Sequence, residues 1–274
     1  MQIAVEVLDK TSDSPALLQI RVTDRNDDSA VTAFCLSSNN SRPSPTDSCF
    51  GDAQAWTRSI GPAWRVWARD AAGNVSAGAT DSPCSQEAKA LAAASSLPTV
   101  CMMTDEGEIV FELESAKAPE SANNFMNYVF DGFYADTVFH RILSNFVVQG
   151  GGFMVRNGNR VQKTPADGLR DPIALEKTSE TGLSNLAGTL AMARSSDANS
   201  ATSQFFINVV DNSSRLDAEG SSAPGLGYAV FGRVIRGMGT AVDLLRNAQV
   251  ANNGAGEVSS PTRDIFIRWA SLMK

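Results

Sequence analysis

Thr137–Phe153, TVFHRILSNFVVQGGGF, is the stretch on which the reading of this chain turns. It puts a cation (Arg141), an aromatic (Phe146), an amide (Gln149) and three successive glycines (Gly150–Gly152) into one strand–turn–strand reach. Neighbouring side chains of a strand point to opposite faces, so His140 and Arg141 are expected to point apart, with His140 packed and turned from any groove. Gly188–Val210, GTLAMARSSDANSATSQFFINVV, yields to the same test. There Phe205 and Ile207 share a core-facing side, and Gln204 and Phe206 share the other. An amide beside an outward aromatic suits a groove for an uncharged peptide, with an apolar floor and a polar rim.

The surrounding chain reads as strands and two helices. Val100–Leu113 is a hairpin turned at Asp105–Gly107, with Asp105, Glu106 and Glu108 expected to be solvated near its tip. Pro119 opens a helix at its first turn, where a missing N–H costs nothing. Ala122, Phe125, Met126 and Val129 recur at three- and four-residue spacing before Gly132 ends it. A second helix follows Gly237 through Met238, Val242 and Leu245. Two helices among many antiparallel strands predict a mainly all-β fold, here a closed barrel with helices plugging its open ends.

Residues 1–84 differ in character. Leu18, Ile20 and Val22, then Val31, Ala33 and Cys35, then Trp64, Val66 and Ala68 each alternate with their neighbours, and Asp70–Asn74 makes a turn before Val75. Such segments, separated by Pro, Ser, Asn and Gly, predict a small antiparallel β-sandwich. The run VWARDAAGNVS (66–76) resembles the closing hairpin of bacterial immunoglobulin-like modules. Trp56, Trp64 and Trp67 are expected to pack within this domain rather than to form a binding face. Residues 85–97, SQEAKALAAASSL, read as a linker, either a short helix or a tether, and 98–274 as the second domain.

The totals exclude several functions. At 274 residues two domains are the better expectation, and a hydrophobic fraction of 43% supports folded cores. A net charge of −7 has the wrong sign for nucleic acid or an anionic membrane. No apolar run approaches the roughly eighteen residues that a transmembrane helix needs. Met1–Val5 enters the alternating pattern with no secretory leader, as expected of a cytosolic chain or of one whose leader has been removed. Cys35 and Cys49 bracket a loop-like stretch and are expected to form a disulfide, which points to an oxidising compartment; four buried thiols in the cytosol are the alternative. Pairing of Cys84 with Cys101 stays open. With His140 the sole histidine and no C-x-x-C, a zinc site lacks ligands. The glycine triplet lacks the Lys-Ser/Thr of a phosphate-binding loop, and a hydrolase built on His140 would need that ring in the groove.

From 98 to about 270 the chain resembles the cyclophilins, on the strength of FHRI, the F-x-x-QGGGF pattern, GTLAMAR and SQFFINVVDN taken together, and it looks closest to their bacterial branch. The resemblance implies an antiparallel barrel capped by two helices, peptidyl-prolyl cis-trans isomerisation, and no cofactor or metal. It implies that Arg141 is the essential arginine, with Phe146 and Gln149 catalytic beside it. It further makes Val147, Phe206, Leu216 and Tyr228 pocket residues, Gln204 a second amide, and Ala193 and Arg194 the segment whose backbone pairs with the peptide. Val147, Arg194, Arg215 and Tyr228 stand where eukaryotic members usually carry Met, Asn, Trp and His. The absent tryptophan implies weak binding of cyclosporin-type inhibitors. Expected partners are proline-containing peptides and unfolded clients, met as a monomer in the periplasm or outside the cell, with the cytoplasm as alternative. The competing reading is a non-catalytic proline-peptide module with residues 1–84 as a docking or adhesion unit.

Overall fold

In the computed structural model, which describes residues 3–8, 19–24, 31–37, 42–51, 65–76, 84–218 and 226–273, the alternating segments become strands. The chain divides into two units, Met1–Pro83 with Phe130–Gly132, and Cys84–Val129 with Phe133–Lys274.

In the first unit, β1 (Ile3–Leu8) pairs antiparallel with β2 (Gln19–Asp24). β3 (Val31–Ser37) lies between β4 (Phe50–Gly51) and β5 (Arg65–Asp70) in a separate three-stranded sheet. Cys35 and Cys49 are disulfide-bonded, and the bridge packs with Trp67 and Val75, all but Cys49 buried. Trp56 and Trp64 lie outside the described residues.

The second unit opens with α1 (Gln86–Ala94), so of the two readings of residues 85–97, short helix or tether, the structure has the helix. Ser85 caps it, its Oγ accepting from the Ala88 N–H while its own N–H and O–H donate to the Glu108 carboxylate, each at 2.7 Å. A second disulfide, Cys84–Cys101, ties the start of this helix to β6 (Thr99–Thr104). The expectation that Asp105, Glu106 and Glu108 are merely solvated fails. They pair with Arg268, Arg263 and Arg236 respectively, and the Glu108 side chain is 7% exposed because it serves as the helix anchor.

β7 (Gly107–Leu113), α2 (Pro119–Phe130), β8 (Thr137–Val138), β9 (Arg141–Ile142), β10 (Val147–Gly150), β11 (Phe153–Arg156) and β12 (Asn159–Gln162) follow. After α3 (Thr178–Thr181) come β13 (Thr189–Met192), β14 (Phe205–Asn208), α4 (Ser213–Leu216) and β15 (Val230–Arg236). The helix expected after Gly237 is a π-turn, Met238–Val242, continuing into α5 (Asp243–Arg246), and β16 (Val250–Asn252), β17 (Val258–Pro261) and β18 (Phe266–Leu272) complete the chain. Both expected helices are therefore present, and among the described residues this unit adds α1 and the short α3 and α4.

Eleven strands form one sheet in the order β12-β11-β8-β18-β6-β7-β15-β13-β14-β10-β9, and its pairings are antiparallel. Among the described residues no ladder joins β12 to β9, so the hydrogen-bonded order is open-ended where closure was expected. The opening stretch is not a single hairpin. It supplies four short strands, β8 to β11, and two of them, β8 and β11, sit near one end of the order while β9 and β10 sit at the other. One sheet face is apolar: Phe111, Phe205 and Phe231 are fully buried there and meet Phe125 of α2, with ring centroids 5.3–6.1 Å apart. Burying these rings is the main stabilisation of the unit.

Candidate active site

The other face of the same strands builds the site. Residues directly opposite each other in a ladder share a face. Arg141 is opposite Gln149, Gln149 opposite Phe206, Phe206 opposite Ala191, and Ala191 opposite Val230. One row across four strand pairs thus runs from a guanidinium through an amide to an apolar patch. Val147, Ala191, Phe206, Leu216 and Val230 form that patch, with Phe146, Leu183, Ala193 and Tyr228 packed on it and half-buried. Phe206 was read as an outward aromatic. It does leave the core face, yet it is only 4% exposed because Leu216 of α4 and Tyr228 cover it, the Tyr228 ring meeting it edge-on at 5.7 Å.

Polar groups line one side. Arg141 Nη1 donates to Gln149 Oε1 at 3.4 Å, a long bond, and Gln149 Nε2 donates to Gln204 Oε1 at 3.0 Å. The Arg141 guanidinium lies 5.8 Å from the Phe146 ring centre. Gly152 is what admits Gln204, since a Cβ there would sit 2.3 Å from its Cγ. Ala193 and Arg194 follow β13; the Ala193 N–H is taken by the Gln204 carbonyl, and Arg194 stacks on Tyr228 at 4.6 Å. The structure therefore gathers Arg141, Phe146, Val147, Gln149, Ala193, Arg194, Gln204, Phe206, Leu216 and Tyr228 into one neighbourhood.

Two groups of residues escaped the sequence reading. Glu257, at the turn between β16 and β17, grips Arg141 with both oxygens: Nε donates to Oε2 at 2.7 Å and Nη2 to Oε1 at 2.8 Å. Two asparagines order that turn, with Asn252 accepting from the Gly254 N–H and Asn253 from the Ala255 N–H. The hydrogen bonds from Arg141 hold the Glu257 carboxyl at about 2, helped by Ser259 and opposed by partial burial, so Glu257 is a carboxylate at neutral pH. Its ANNGAGE setting looks like any polar turn, and no local spacing announces it. The second group is a buried amide relay under α4. Asn212 Nδ2 donates to the Phe146 carbonyl and to Asn208 Oδ1, each at 2.8 Å, and Asn208 Nδ2 donates to Asn185 Oδ1 at 3.1 Å. All three asparagines are 0% exposed. An asparagine inside the apolar run FFINVV was the available signal for Asn208.

With Nε and Nη2 on Glu257 and one Nη1 hydrogen on Gln149, Arg141 keeps the other Nη1 hydrogen for a ligand, in an orientation that Glu257 fixes. Replacing Glu257 by Gln leaves the shape and removes the charge. Roughly five-fold lower kcat/KM is expected, the difference between a charge-assisted and a neutral hydrogen bond to the positioning group. A rise instead would show that Glu257 restrains Arg141.

His140 behaves as expected of a packed histidine. Its ring lies 4.4 Å from that of Phe153, and Nδ1 is buried without a partner. Burial, together with the nearby Arg141 and Arg160 charges, lowers its pKa from 6.5 to about 4 against the pull of a hydrogen bond to the Val138 backbone. The unfolded chain therefore binds the proton first, and His140 erodes stability as pH falls through 6.5 towards 4. Between pH 7 and 4.5, His140→Phe is expected to lose roughly 2 kcal/mol less stability than the natural chain, as read by urea unfolding. Equal losses would overturn this assignment.

A family model described as cyclophilin type peptidyl-prolyl cis-trans isomerase/CLD matches residues 99–270. Peptidyl-prolyl cis-trans isomerase A of Dickeya dadantii (strain 3937) is 40% identical over 182 residues, 66% of this chain and 88% of the relative. Peptidyl-prolyl cis-trans isomerase B of Escherichia coli (strain K12) is 39% identical over 168 residues, 61% of this chain and 95% of the relative. A solved cyclophilin-type isomerase of Cryptosporidium parvum, crystallised in the presence of the dipeptide Ala-Pro, is 25% identical, covers 64% of this chain and 98% of its own, and has a TM-score of 0.47. The matched region contains every strand of the row from Arg141 to Val230, and with it the chain belongs to the cyclophilin-type peptidyl-prolyl cis-trans isomerase family.

Proposed function

We propose that this chain catalyses cis/trans rotation of X–Pro bonds in peptides and unfolded proteins, and so assists folding. The observation that carries this is the row itself: a fixed guanidinium at one end, an amide beside it and an aromatic-walled apolar patch at the other. Rotation about the amide faces a barrier of about 18–20 kcal/mol because resonance is lost. In the twisted state the prolyl nitrogen becomes pyramidal and basic. Arg141 can then donate to it through Nη1, an interaction the planar bond does not offer. A charge-assisted hydrogen bond contributes roughly 1.5–3 kcal/mol, about one to two decades of rate. Phe146, Val147, Phe206 and Leu216 hold the ring, while Gln149, Gln204 and the backbone near Ala193 hold the flanking chain, so that one side of the bond turns. These residues form no covalent bond to the substrate. Exchange spectroscopy on an Ala-Pro peptide is expected to show accelerated cis/trans interconversion; binding without acceleration would mark a non-catalytic peptide module.

Three finer readings belong to the same proposal. The sheet of the second unit curls into a barrel. In a flat sheet the seven strands between β8 and β9 would separate them by roughly 38 Å. The chain crosses from Val138 to Arg141 in three steps of at most about 3.6 Å each. Gly150 to Phe153 makes the same crossing between β10 and β11, which supports curling. Residues 1–84 form an immunoglobulin-like sandwich, supported by two antiparallel ladders and the packing of Trp67 on the Cys35–Cys49 bridge; a crystal structure with these ladders in one continuous sheet would refute it. The compartment is oxidising, periplasmic or extracellular, supported by the pairing of all four cysteines. Thiol labelling of the protein taken from its native cells is expected to find none free, and labelled cysteines would refute this.

A further inference from the structure

We infer that the proline site selects peptides carrying a carboxylate side chain next to the proline, through Arg194 and Arg215. This rests on the isomerase reading above and names its substrate class. Arginines elsewhere in the second unit, such as Arg156, Arg160, Arg233 and Arg268, each hold a carboxylate. Arg141 holds Glu257. Among the described residues neither Arg194 nor Arg215 has one, although the chain carries an excess of acidic groups, with a net charge of −7.

Both guanidiniums are fixed over the walls of the pocket. Arg215 lies 4.6 Å above the Phe146 ring, and its Nη2 donates to Asn212 Oδ1 of the amide relay. Arg194 lies 4.6 Å from the Tyr228 ring, with Nε on the Gly227 carbonyl and Nη1 on the Ser195 carbonyl, each at 2.9 Å. Phe146 and Tyr228 pack on the same apolar cluster, so the two cations flank one ligand position. Among the described residues, the carboxylates close by in sequence are otherwise engaged: Asp211 by Ser213, Asp217 by Ser184 and Asn185, and Asp197 by the Asn199 N–H. Stacking and carbonyl contacts leave Nη2 of Arg194, and Nε and Nη1 of Arg215, free to donate. A planar donor held in place and lacking an anion is prepared for a carboxylate. In an otherwise acidic protein, two such groups at the rim focus attraction on the groove.

The test compares kcat/KM for short peptides that differ only in having Ala, Glu or Lys immediately before or immediately after the proline. For the natural chain, Glu peptides are expected to exceed Lys peptides by about five- to ten-fold at low salt, with the ratio shrinking towards one in about 0.5 M salt. In Arg194→Gln/Arg215→Gln the ratio is expected to collapse, and in Arg215→Glu to fall or invert. A ratio is unaffected by the fraction of a variant that folds, so loss of stability cannot imitate the result. Turnover of the Ala peptide with no Glu preference overturns this inference alone, as does a preference that survives in the double variant. No turnover of any peptide by the natural chain overturns the isomerase reading instead.

Discussion

Arg141→Ala is expected to lower kcat/KM for an Ala-Pro peptide by roughly 10- to 100-fold, the rate equivalent of one charge-assisted hydrogen bond. The loss should fall in kcat, because the apolar patch that binds the ring is untouched and the donor acts only on the twisted state. Peptide affinity measured by titration should stay within about three-fold, as uniform binding is not removed. Glu257 then loses its partner, but its side chain is 36% exposed and water can replace the guanidinium, so folding is little affected. Arg141→Lys is the sharper variant. It keeps the charge and loses the planar fork that engages Glu257 and Gln149 together, and it should recover little activity. Activity of Arg141→Ala within two-fold of the natural chain would remove the mechanism.

Gly151→Ala is expected to destabilise the second unit by about 2–4 kcal/mol, combining a left-handed backbone penalty with overpacking. Its φ is +82°, and a Cβ would lie 2.8 Å from the Tyr134 ring and 2.9 Å from that of Phe205, both fully buried. Neither ring can retreat: Phe205 is wedged among Phe111, Phe125 and Tyr134, and the Tyr134 hydroxyl donates to the Ser203 carbonyl at 2.9 Å. The melting temperature should fall by roughly 5–15 °C for a unit of this size. Gly158→Ala is the control. Its φ is +75° with nothing within 4 Å of the added carbon, so it should cost the backbone share alone, about 1–2 kcal/mol. Equal losses in the two variants would mean that crowding at the crossing contributes nothing.

That crossing shows what was legible and what was not. Alternation in QFFINVV correctly separated Phe205 and Ile207 from Gln204 and Phe206, because the two faces of a strand are fixed by the backbone whatever packs on them. The same logic gave α2 from its apolar spacing and its proline start. It failed on Thr137–Phe153, where two-residue breaks at Phe139–His140 and Gly151–Gly152 send successive strands to opposite ends of the sheet order. Period two has no term for which strand a segment pairs with.

The sequence by itself determined the family, the apolar and polar faces, and the residue types of the pocket, since these rest on local periodicity and on motifs dense enough to be specific. Tertiary structure decided everything that depends on partners distant along the chain. It gave Glu257 to Arg141 across a separation of 116 residues, joined Cys84 to Cys101, closed α4 over Phe206 and chose the helix over the tether for the stretch after Cys84. Among the described residues it also left Arg194 and Arg215 without carboxylates, while arginines such as Arg160 and Arg233 in the same unit found them. Hydrogen bonds and ion pairs are set by where side chains meet in space, and a strand order that brings opposite ends of a sheet together is not written in the spacing of any one segment.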